Sequence, residues 1–169
     1  MITTREIKKK KSRYFAILLP AVVLVVLVCL IRVSFDRAIF EGEAMLPTFE
    51  HGDTLINNKT AYITQKPHRF DIIMMEVPEQ SRYIVRRIIG LPNEHIHIAN
   101  GLVSINREIL DEEYLYDAYT DGNINVLIPD GFYFVMGDNR LVVDDSRTPN
   151  IGLVAKKSIR GKIIYSLHL

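Results

Sequence analysis

An uncharged apolar segment near the N-terminus constrains the fold of this chain more than any other feature. Residues 14–31 (YFAILLPAVVLVVLVCLI) form 18 consecutive positions without a charged side chain. As a helix that rises about 1.5 Å per residue, this segment would be roughly 27 Å long, close to the thickness of a bilayer core. Pro20 can kink such a helix without preventing it from crossing. The segment therefore predicts a transmembrane anchor.

The charges before this segment predict its orientation. Residues 1–13 carry six basic side chains and one acidic side chain, a net charge of +5. Because basic residues are retained on the cytoplasmic side, we expect residues 1–13 to form a cytoplasmic tail and residues 32–169 an extracytoplasmic domain. The alternative is a cleavable signal peptide, but no small-x-small site follows promptly after residue 31. We therefore expect a single-pass protein of the cell membrane.

The composition limits what the exterior domain can be. The chain has 169 residues, which suits one domain after the anchor. Its net charge is +1, so the residues after the tail sum to −4 and give no basic surface for nucleic acid. The single cysteine, Cys29, lies in the apolar segment, so the domain has no disulfide of its own. We predict neither a nucleic-acid partner nor a cofactor.

Short β-type segments separated by turn residues follow the anchor. They lie at residues 38–41, 54–57, 71–77, 83–89, 95–98, 102–105, 126–128, 131–136 and 159–165. Asn100-Gly101 between two alternating segments is a strong signal for a two-residue hairpin turn. No long stretch after residue 32 keeps a helical period, so the sequence predicts a mainly β, antiparallel domain.

Two groups of side chains allow a binding interpretation as well as a structural one. His95 and His97 would share one face of a strand, but two histidines without a third ligand nearby indicate surface residues rather than a metal site. We therefore predict no metal. Tyr114, Tyr116 and Tyr119 could mark a binding face, although half-buried packing is the commoner explanation.

The most specific motif is the segment at residues 41–48 (EGEAMLPT), followed by Gly52-Asp53. By itself it predicts only a proline turn, because Pro47 fixes its own φ and favours an extended residue before it. Three further segments follow in order: residues 68–73 (HRFDII), 83–92 (YIVRRIIGLP) and 137–147 (GDNRLVVDDSR). Behind an N-terminal anchor, these four segments resemble the sequence boxes of the type I signal peptidases of the short Gram-positive type. That resemblance implies an antiparallel, partly barrel-like β domain with an N-terminal transmembrane helix.

Enzymes of that family use a serine nucleophile and a neutral lysine as its base. The resemblance places Ala44 at the nucleophile, Arg86 at the base and Val143 at a hydroxyl that orients the base. Ala44 has no oxygen, and a guanidinium with a pKa above about 12 cannot act as a base. Shifting the alignment supplies no lysine, since none occurs between Lys66 and Lys156. Loss of all three groups favours a natural non-catalytic homologue over an enzyme disabled by one substitution.

The remaining residues of the boxes concern support of the site. No serine lies between Ser34 and Ser81, and Thr48 belongs to the structural end of its box. The resemblance implies structural support by residues that this chain retains, and it implies an ion pair between the last two of them. They are Met45, Pro47, Asp138, Asn139, Arg140, Asp145 and Arg147.

Two positions that differ from the family pattern carry structural expectations. A charged Arg86 in a formerly apolar pocket would need a carboxylate or open solvent, and Glu43 is the nearest candidate in sequence. Phe70 stands where the family pattern usually has glycine.

Three functional hypotheses follow from the resemblance. In the first, the chain is a non-catalytic signal peptidase homologue that binds an extended segment of a secreted or membrane precursor along a strand edge without cleaving it. Some non-catalytic proteins of this type assist assembly of Gram-positive pili, so the expected partners include pilin precursors. In the second, the chain is an active signal peptidase with an unforeseen nucleophile and base. In the third, it is a structural β module whose peptide groove is not used.

Overall fold

The computed structural model describes residues 4–77, 80–115 and 119–168, with side chains from residue 17 onward. The chain divides into two compact units, one ending at Phe35 and one beginning at Asp36. The first unit is the helix α1 (Thr4–Ser34), which contains Pro20. Its segment Ile17–Ser34 has a mean hydropathy of 2.8 and is long and apolar enough to cross a membrane. The helix therefore includes the predicted anchor and continues into the predicted basic tail.

The second unit is built from eleven β-strands in the described part of the chain. They are β1 (Phe35–Ile39), β2 (Thr54–Asn58), β3 (Ile72–Val77), β4 (Arg82–Gly90), β5 (His95–Ala99), β6 (Leu102–Ile105), β7 (Glu108–Ile109), β8 (Ile124–Leu127), β9 (Phe132–Met136), β10 (Val154–Ala155) and β11 (Ile159–Leu167). A 3₁₀ turn, Lys156–Ser158, joins the last two.

The strands form two sheets with antiparallel pairing. A seven-stranded sheet has the order β1-β2-β11-β3-β4-β9-β10, and a four-stranded sheet has the order β7-β6-β5-β8. The registers of the strand pairs β3–β4, β4–β9 and β5–β8 are all antiparallel. The mainly β, antiparallel fold predicted from the sequence is confirmed.

Alternation along the long strand β4 distributes its side chains among three buried clusters. Ile84 and Ile88 pack in a cluster with β3 and β9, whereas Ile89 packs in a second cluster with the strands of the smaller sheet. Val85 belongs to a third cluster, which includes Met45. Because residues of a strand alternate between faces, this one strand contacts the core on both sides. Because β4 is packed on both faces, the residues that it presents to a cleft have fixed positions.

The hairpin predicted at Asn100-Gly101 is confirmed. Ala99 pairs with Leu102 across the turn, and Asn100 and Gly101 have φ values of +53° and +82°. A Cβ on Gly101 would lie 2.4 Å from the ring of Tyr119, so this position needs glycine for space as well as for backbone conformation.

The histidines singled out in the sequence lie on the first strand of this hairpin, and Tyr119 lies beside its turn. His95 and His97 are both on β5, and His97 is exposed. Among the described residues, no group of three or more His, Cys, Asp or Glu side chains is placed to hold a metal ion. Tyr114 packs edge-on against Phe70, which fits the packing interpretation, and Tyr116 lies outside the described residues.

Some strand bounds differ from the prediction for physical reasons. The first strand was expected at residues 38–41 but ends at Ile39, because Phe40 exchanges backbone hydrogen bonds with Gly52 and Asp53 and Gly42 then turns the chain with a φ of +97°. The two-residue strands β7 and β10 were not predicted. A segment that short is too brief to show an alternating pattern.

Candidate functional site

Apolar side chains hold the 41–48 segment on the domain. Phe40, Met45 and Phe49 pack in one cluster with Leu55 and Val85. Met45 is fully buried, and the following Leu46–Pro47 peptide bond is cis. Because Phe40 and Met45, which flank the turn at residues 41–44, are buried, the backbone of Ala44 is fixed.

The segment that begins at Gly137 holds the same turn from the other side. The backbone N–H of Asn139 donates to the carbonyl of Ala44 at 3.0 Å, and the Asn139 side-chain amide donates to the carbonyl of Glu43 at 3.1 Å. A Cβ on Gly137 would lie 2.4 Å from the Ala44 carbonyl oxygen. The first and last boxes are therefore in direct contact, about 90 residues apart in sequence.

A buried ion pair lies beneath this contact. Arg87 donates to both carboxylate oxygens of Asp138, from Nε at 2.8 Å and from Nη2 at 2.5 Å. Thr48 donates its hydroxyl to Asp138 at 2.5 Å, and the Arg87 guanidinium lies 4.0 Å from the ring centre of Tyr114. The hydroxyl of Thr48 is thus committed to the support of the turn.

A second buried ion pair joins Asp145 and Arg147, the two residues for which the resemblance implied a pair. Arg147 donates from Nε at 2.9 Å and from Nη2 at 2.8 Å, one bond to each carboxylate oxygen. Asp145 also accepts from the backbone N–H of Gly137 at 3.2 Å. This pair therefore orients the strand end that carries the last box.

Arg140 is held by a partner that the sequence did not suggest. Its guanidinium donates to Glu112 at 2.5 Å and 3.0 Å, and also to the hydroxyl of Thr120. Both charged side chains are almost fully buried. No local pattern marks Glu112, because the pair joins residues 28 apart in sequence.

Phe70 has a φ of +68°, which explains why the family pattern has glycine there. A side chain in this left-handed region is unusual for a bulky residue. The Phe70 ring contacts Tyr114 with ring centres 5.6 Å apart, and its carbonyl accepts a hydrogen bond from Arg87. The aromatic contact compensates for the backbone strain.

A cleft of about 440 Å³ opens on the surface of this site. One wall is the chain from residue 38 to residue 44, and the other is the first half of β4 together with two residues of the last box. The lining residues are Ala38, Ile39, Phe40, Glu41, Gly42, Glu43, Ala44, Leu55, Met74, Arg82, Tyr83, Ile84, Val85, Arg86, Val142 and Asp144.

The cleft wall on β4 is an open strand edge. β4 pairs with β3 from Arg82 to Arg87, but it pairs with β9 only from Arg87 to Gly90. On the side away from β3, residues 82–86 have no strand partner within the described part of the chain. A strand edge of this kind offers backbone donors and acceptors to an extended peptide.

Arg86 lies at the end of this open edge, and its carboxylate partner is Asp144. The Nη2 atom of Arg86 lies 3.1 Å from Asp144 Oδ2, and its Nε donates to the Asp144 backbone carbonyl at 2.8 Å. Its Nη1 donates to the carbonyl of Val85 at 2.6 Å. The expectation that Glu43 is the partner of Arg86 is wrong. Glu43 lines the cleft but forms no ion pair with Arg86. Burial lowers the pKa of the Arg86 guanidinium, and the charge of Asp144 opposes that effect.

Ala44 and Arg86, the residues at two of the three predicted catalytic positions, both line the cleft. Val143 is 46% exposed and is not among the lining residues, whereas its neighbours Val142 and Asp144 are. The structure therefore brings two of the three positions together and turns the third toward solvent.

The side chains of the lining determine which chemical groups the cleft offers. Among the described lining residues there is no serine, threonine, cysteine or lysine, and the only side-chain hydroxyl is the phenol of Tyr83. The ionisable groups that remain are carboxylates and arginines. Carboxylates accept and arginines donate hydrogen bonds, so the lining contains both acceptors and donors.

Comparison with known proteins agrees with the fold and the boxes. The family described as signal peptidase, peptidase S26, matches residues 11–167. The chain belongs to the signal peptidase family.

Relatives of this family cover nearly the whole chain. Signal peptidase I U of Bacillus subtilis (strain 168) is 32% identical over 168 residues, which cover 94% of this chain and 89% of that protein. Signal peptidase I of Bacillus caldolyticus is 34% identical and covers 92% of this chain and 90% of its own length. The crystal structure of a signal peptidase I from Enterococcus faecalis V583 is similar with a TM-score of 0.53 and 33% identity, covering 59% of this chain and 98% of that one. The family membership and the apolar helix Ile17–Ser34 together indicate a membrane-anchored protein.

Proposed function

We propose that this chain is a non-catalytic signal peptidase homologue that binds an extended segment of exported precursor proteins without cleaving it. The observation that carries the proposal is the lining of the cleft. Where an acyl-transfer site needs a hydroxyl and a neutral amine, the cleft has the methyl group of Ala44 and the ion-paired guanidinium of Arg86. Thr48, the nearest hydroxyl in sequence, is bonded to Asp138.

The open edge of β4 supports a binding role. An extended peptide placed along residues 82–85 would pair with backbone groups that have no strand partner among the described residues. The opposite wall carries small and apolar side chains, including Ala38 and Ile39. Backbone pairing would supply affinity, and these walls would select small and apolar side chains.

The location of the cleft follows from the charge pattern of the chain. Residues 1–13 stay in the cytoplasm by the positive-inside bias, so the β domain faces the exterior, where exported precursors emerge. Partners are therefore precursors with signal peptides, and pilin precursors are one class of these. The family membership supports this choice of partner, because the relatives are signal peptidases.

The second candidate is an active signal peptidase, which the likeness to signal peptidase I proteins favours. To separate the two, the full-length chain in lipid vesicles is incubated with a preprotein, beside Bacillus subtilis signal peptidase I U as the positive control. We expect the control to cleave and this chain to leave the preprotein intact. Cleavage at the signal-peptide boundary by the unmodified chain would contradict the proposal.

Binding is measured in the same vesicles with a matched pair of substitutions. Ile39 lines the cleft and is 68% exposed, whereas Ile63 is 75% exposed and lies outside the lining. Ile39→Ser should weaken preprotein binding about tenfold, because a buried aliphatic contact is worth about 1.4 kcal/mol or more. Ile63→Ser should leave the dissociation constant unchanged. Equal effects of the two substitutions, or no specific binding by the parent chain, would favour a structural module with an unused groove.

A further inference from the structure

The side chain of Asp144 joins the last box to β4 at the level of Arg86. Its two carboxylate oxygens accept hydrogen bonds from Arg82 at 2.8 Å and 2.9 Å, and one of them also lies 3.1 Å from the Arg86 guanidinium. The backbone carbonyl of Asp144 accepts a further bond from Arg86 at 2.8 Å. One residue of the last box therefore anchors two arginines of β4.

We infer that Asp144 is a positioning residue that fixes the side chain at position 86 at the end of the open strand edge and favours a cationic group there. This inference rests on the proposed function, and it deepens it by naming what holds the site in a non-catalytic state. It has a direct consequence: replacing Ala44 with serine and Arg86 with lysine would not produce a working pair while the carboxylate of Asp144 is present.

The charged groups around position 86 support this inference when they are taken together. On β4, Arg82 is the other cation, and Asp144 is shared between the two arginines. On the last box, the charge of Asp145 also raises the pKa of Arg86, but Asp145 is paired with Arg147, whose charge lowers it. Asp144 is therefore the carboxylate in contact with the side chain at position 86 among the described residues.

Two more carboxylates line the opposite wall of the cleft. Glu41 and Glu43 are exposed and form no ion pair within the described part of the chain. Water screens exposed groups, so their effect on position 86 is smaller than that of a carboxylate in contact. Tyr83, the remaining ionisable residue of the lining, is 60% exposed.

A lysine introduced at position 86 would meet the same carboxylate. An opposite charge within about 4–6 Å favours the ammonium form and raises the pKa of the amine, whereas a general base must be neutral to accept a proton. The loop that supplies Asp144 is held by the buried Asp145–Arg147 pair, so the carboxylate cannot easily withdraw. The charge of Asp144 thus opposes the function of the lysine.

The test measures the pKa of that lysine in the full-length chain. The Ala44→Ser, Arg86→Lys double variant is labelled with ¹³C-lysine in detergent micelles, and the new resonance is assigned by its absence from the parent chain. Adding Asp144→Asn should lower the pKa of the introduced lysine by at least about one pH unit. Adding Arg82→Gln instead should raise it, because a neighbouring cation is removed while Asp144 remains.

The two opposite shifts keep the test decisive. A mere loss of packing would not move the pKa down with one substitution and up with the other. Asp144→Ser repeats the charge removal with a smaller side chain, and circular dichroism confirms that each variant retains its β structure. An unchanged lysine pKa in folded Asp144→Asn and Asp144→Ser variants would overturn the inference.

A cleavage assay on the same variants adds a functional readout. For this assay the variants also carry Val143→Ser, which supplies the hydroxyl at the third position. Without a change at Asp144 they should leave a preprotein intact at pH 7, and adding Asp144→Asn should increase its cleavage at least about tenfold or shift the pH profile of cleavage downward. Equal cleavage with and without Asp144→Asn would contradict the role inferred for Asp144 and would leave the proposed function standing. Cleavage by the unmodified chain would instead overturn the proposed function, so the two failures are distinguishable.

Discussion

Two adjacent arginines on one strand have opposite roles in this molecule. Arg87 faces the support of the site and pairs with Asp138, whose side chain is fully buried. Arg86 faces the cleft and pairs with Asp144, whose side chain is 34% exposed. Successive residues of a strand point to opposite faces, so the two pairs lie on different sides of β4.

This contrast separates the residues that maintain the fold from the residues that line the cleft. The support side keeps the residues that the family boxes contain, and they hold the turn around Ala44 through buried charge-assisted hydrogen bonds. On the cleft side, Ala44 and Arg86 stand at the positions that the resemblance assigns to the nucleophile and the base, and Arg86 pairs with Asp144. The support of the site is therefore retained while the residues at the catalytic positions differ from the family pattern.

The largest effect on stability is expected from removing the ion pair between Arg87 and Asp138, which supports the site. Asp138→Ala leaves Arg87 buried without its carboxylate, which should lower the free energy of unfolding by about 3–5 kcal/mol. Urea denaturation of the full-length chain in detergent, followed by circular dichroism, measures it. Asp130→Ala, at an exposed position, should change stability by less than about 0.5 kcal/mol. Similar losses for the two variants would mean that the Arg87–Asp138 pair does not support the fold.

Disturbing the contact between the first and last boxes should have the second-largest effect on stability. In Gly137→Ala the new methyl group would lie 2.4 Å from the Ala44 carbonyl oxygen, so the turn must move, and we expect a loss of about 1–3 kcal/mol. Gly137 has no left-handed backbone conformation, so this loss would come from the contact with the Ala44 carbonyl and not from backbone strain. If Gly137→Ala leaves the free energy of unfolding unchanged, the close contact at Ala44 is not a constraint.

The cleft side should contribute less to stability. Asp144→Asn keeps a hydrogen-bond acceptor but removes a charge that is partly exposed, so we expect a loss of about 1 kcal/mol or less. The same denaturation experiment measures it beside Asp138→Ala. A loss as large as that of Asp138→Ala would erase the contrast between the two faces of β4.

The smallest effect on stability is expected at His168, which belongs to neither of the two ion pairs of β4. Its hydrogen bond to Asp53, with 2.7 Å between the ring nitrogen and the carboxylate, raises the pKa of His168 above its ordinary value of 6.5. A raised folded-state pKa stabilises the fold below the unfolded value, and this stabilisation is lost as the pH rises through the folded value. The stability difference between the parent chain and His168→Ala should therefore be full below about pH 6.5 and shrink as the pH rises through the raised pKa of His168. A difference that does not change as the pH rises above 6.5 would contradict the assignment.

The fold could largely be predicted from the sequence, because its signals are local. The alternating segments and the Asn100-Gly101 turn predicted strands whose bounds mostly agree within about two residues. The edge of the first strand was missed because Gly42 redirects the chain after Phe40. The left-handed backbone at Phe70, with a φ of +68°, was not predicted, although the glycine that the family pattern has there is a signal that could have indicated it.

The site was harder to predict, because its partners are distant in sequence. The boxes identified Ala44 and Arg86 as cleft residues, but the partner of Arg86 was expected at Glu43 and is Asp144, 58 residues away. Nothing local in a sequence indicates which carboxylate a loop will bring to a strand. Only the fold, which places the last box beside β4, decides it.

The central claim is that the cleft holds a precursor without cutting it, and a photo-crosslinking experiment tests it most directly. A benzophenone amino acid replaces Tyr83, which lines the cleft, or Tyr165, which lies outside the lining; both are 60% exposed. After irradiation of full-length chain with a preprotein in lipid vesicles, mass spectrometry identifies the attached species. The account predicts intact preprotein attached at position 83 and none at position 165. A fragment that ends at the signal-peptide cleavage site, or equal labelling at the two positions, would contradict it.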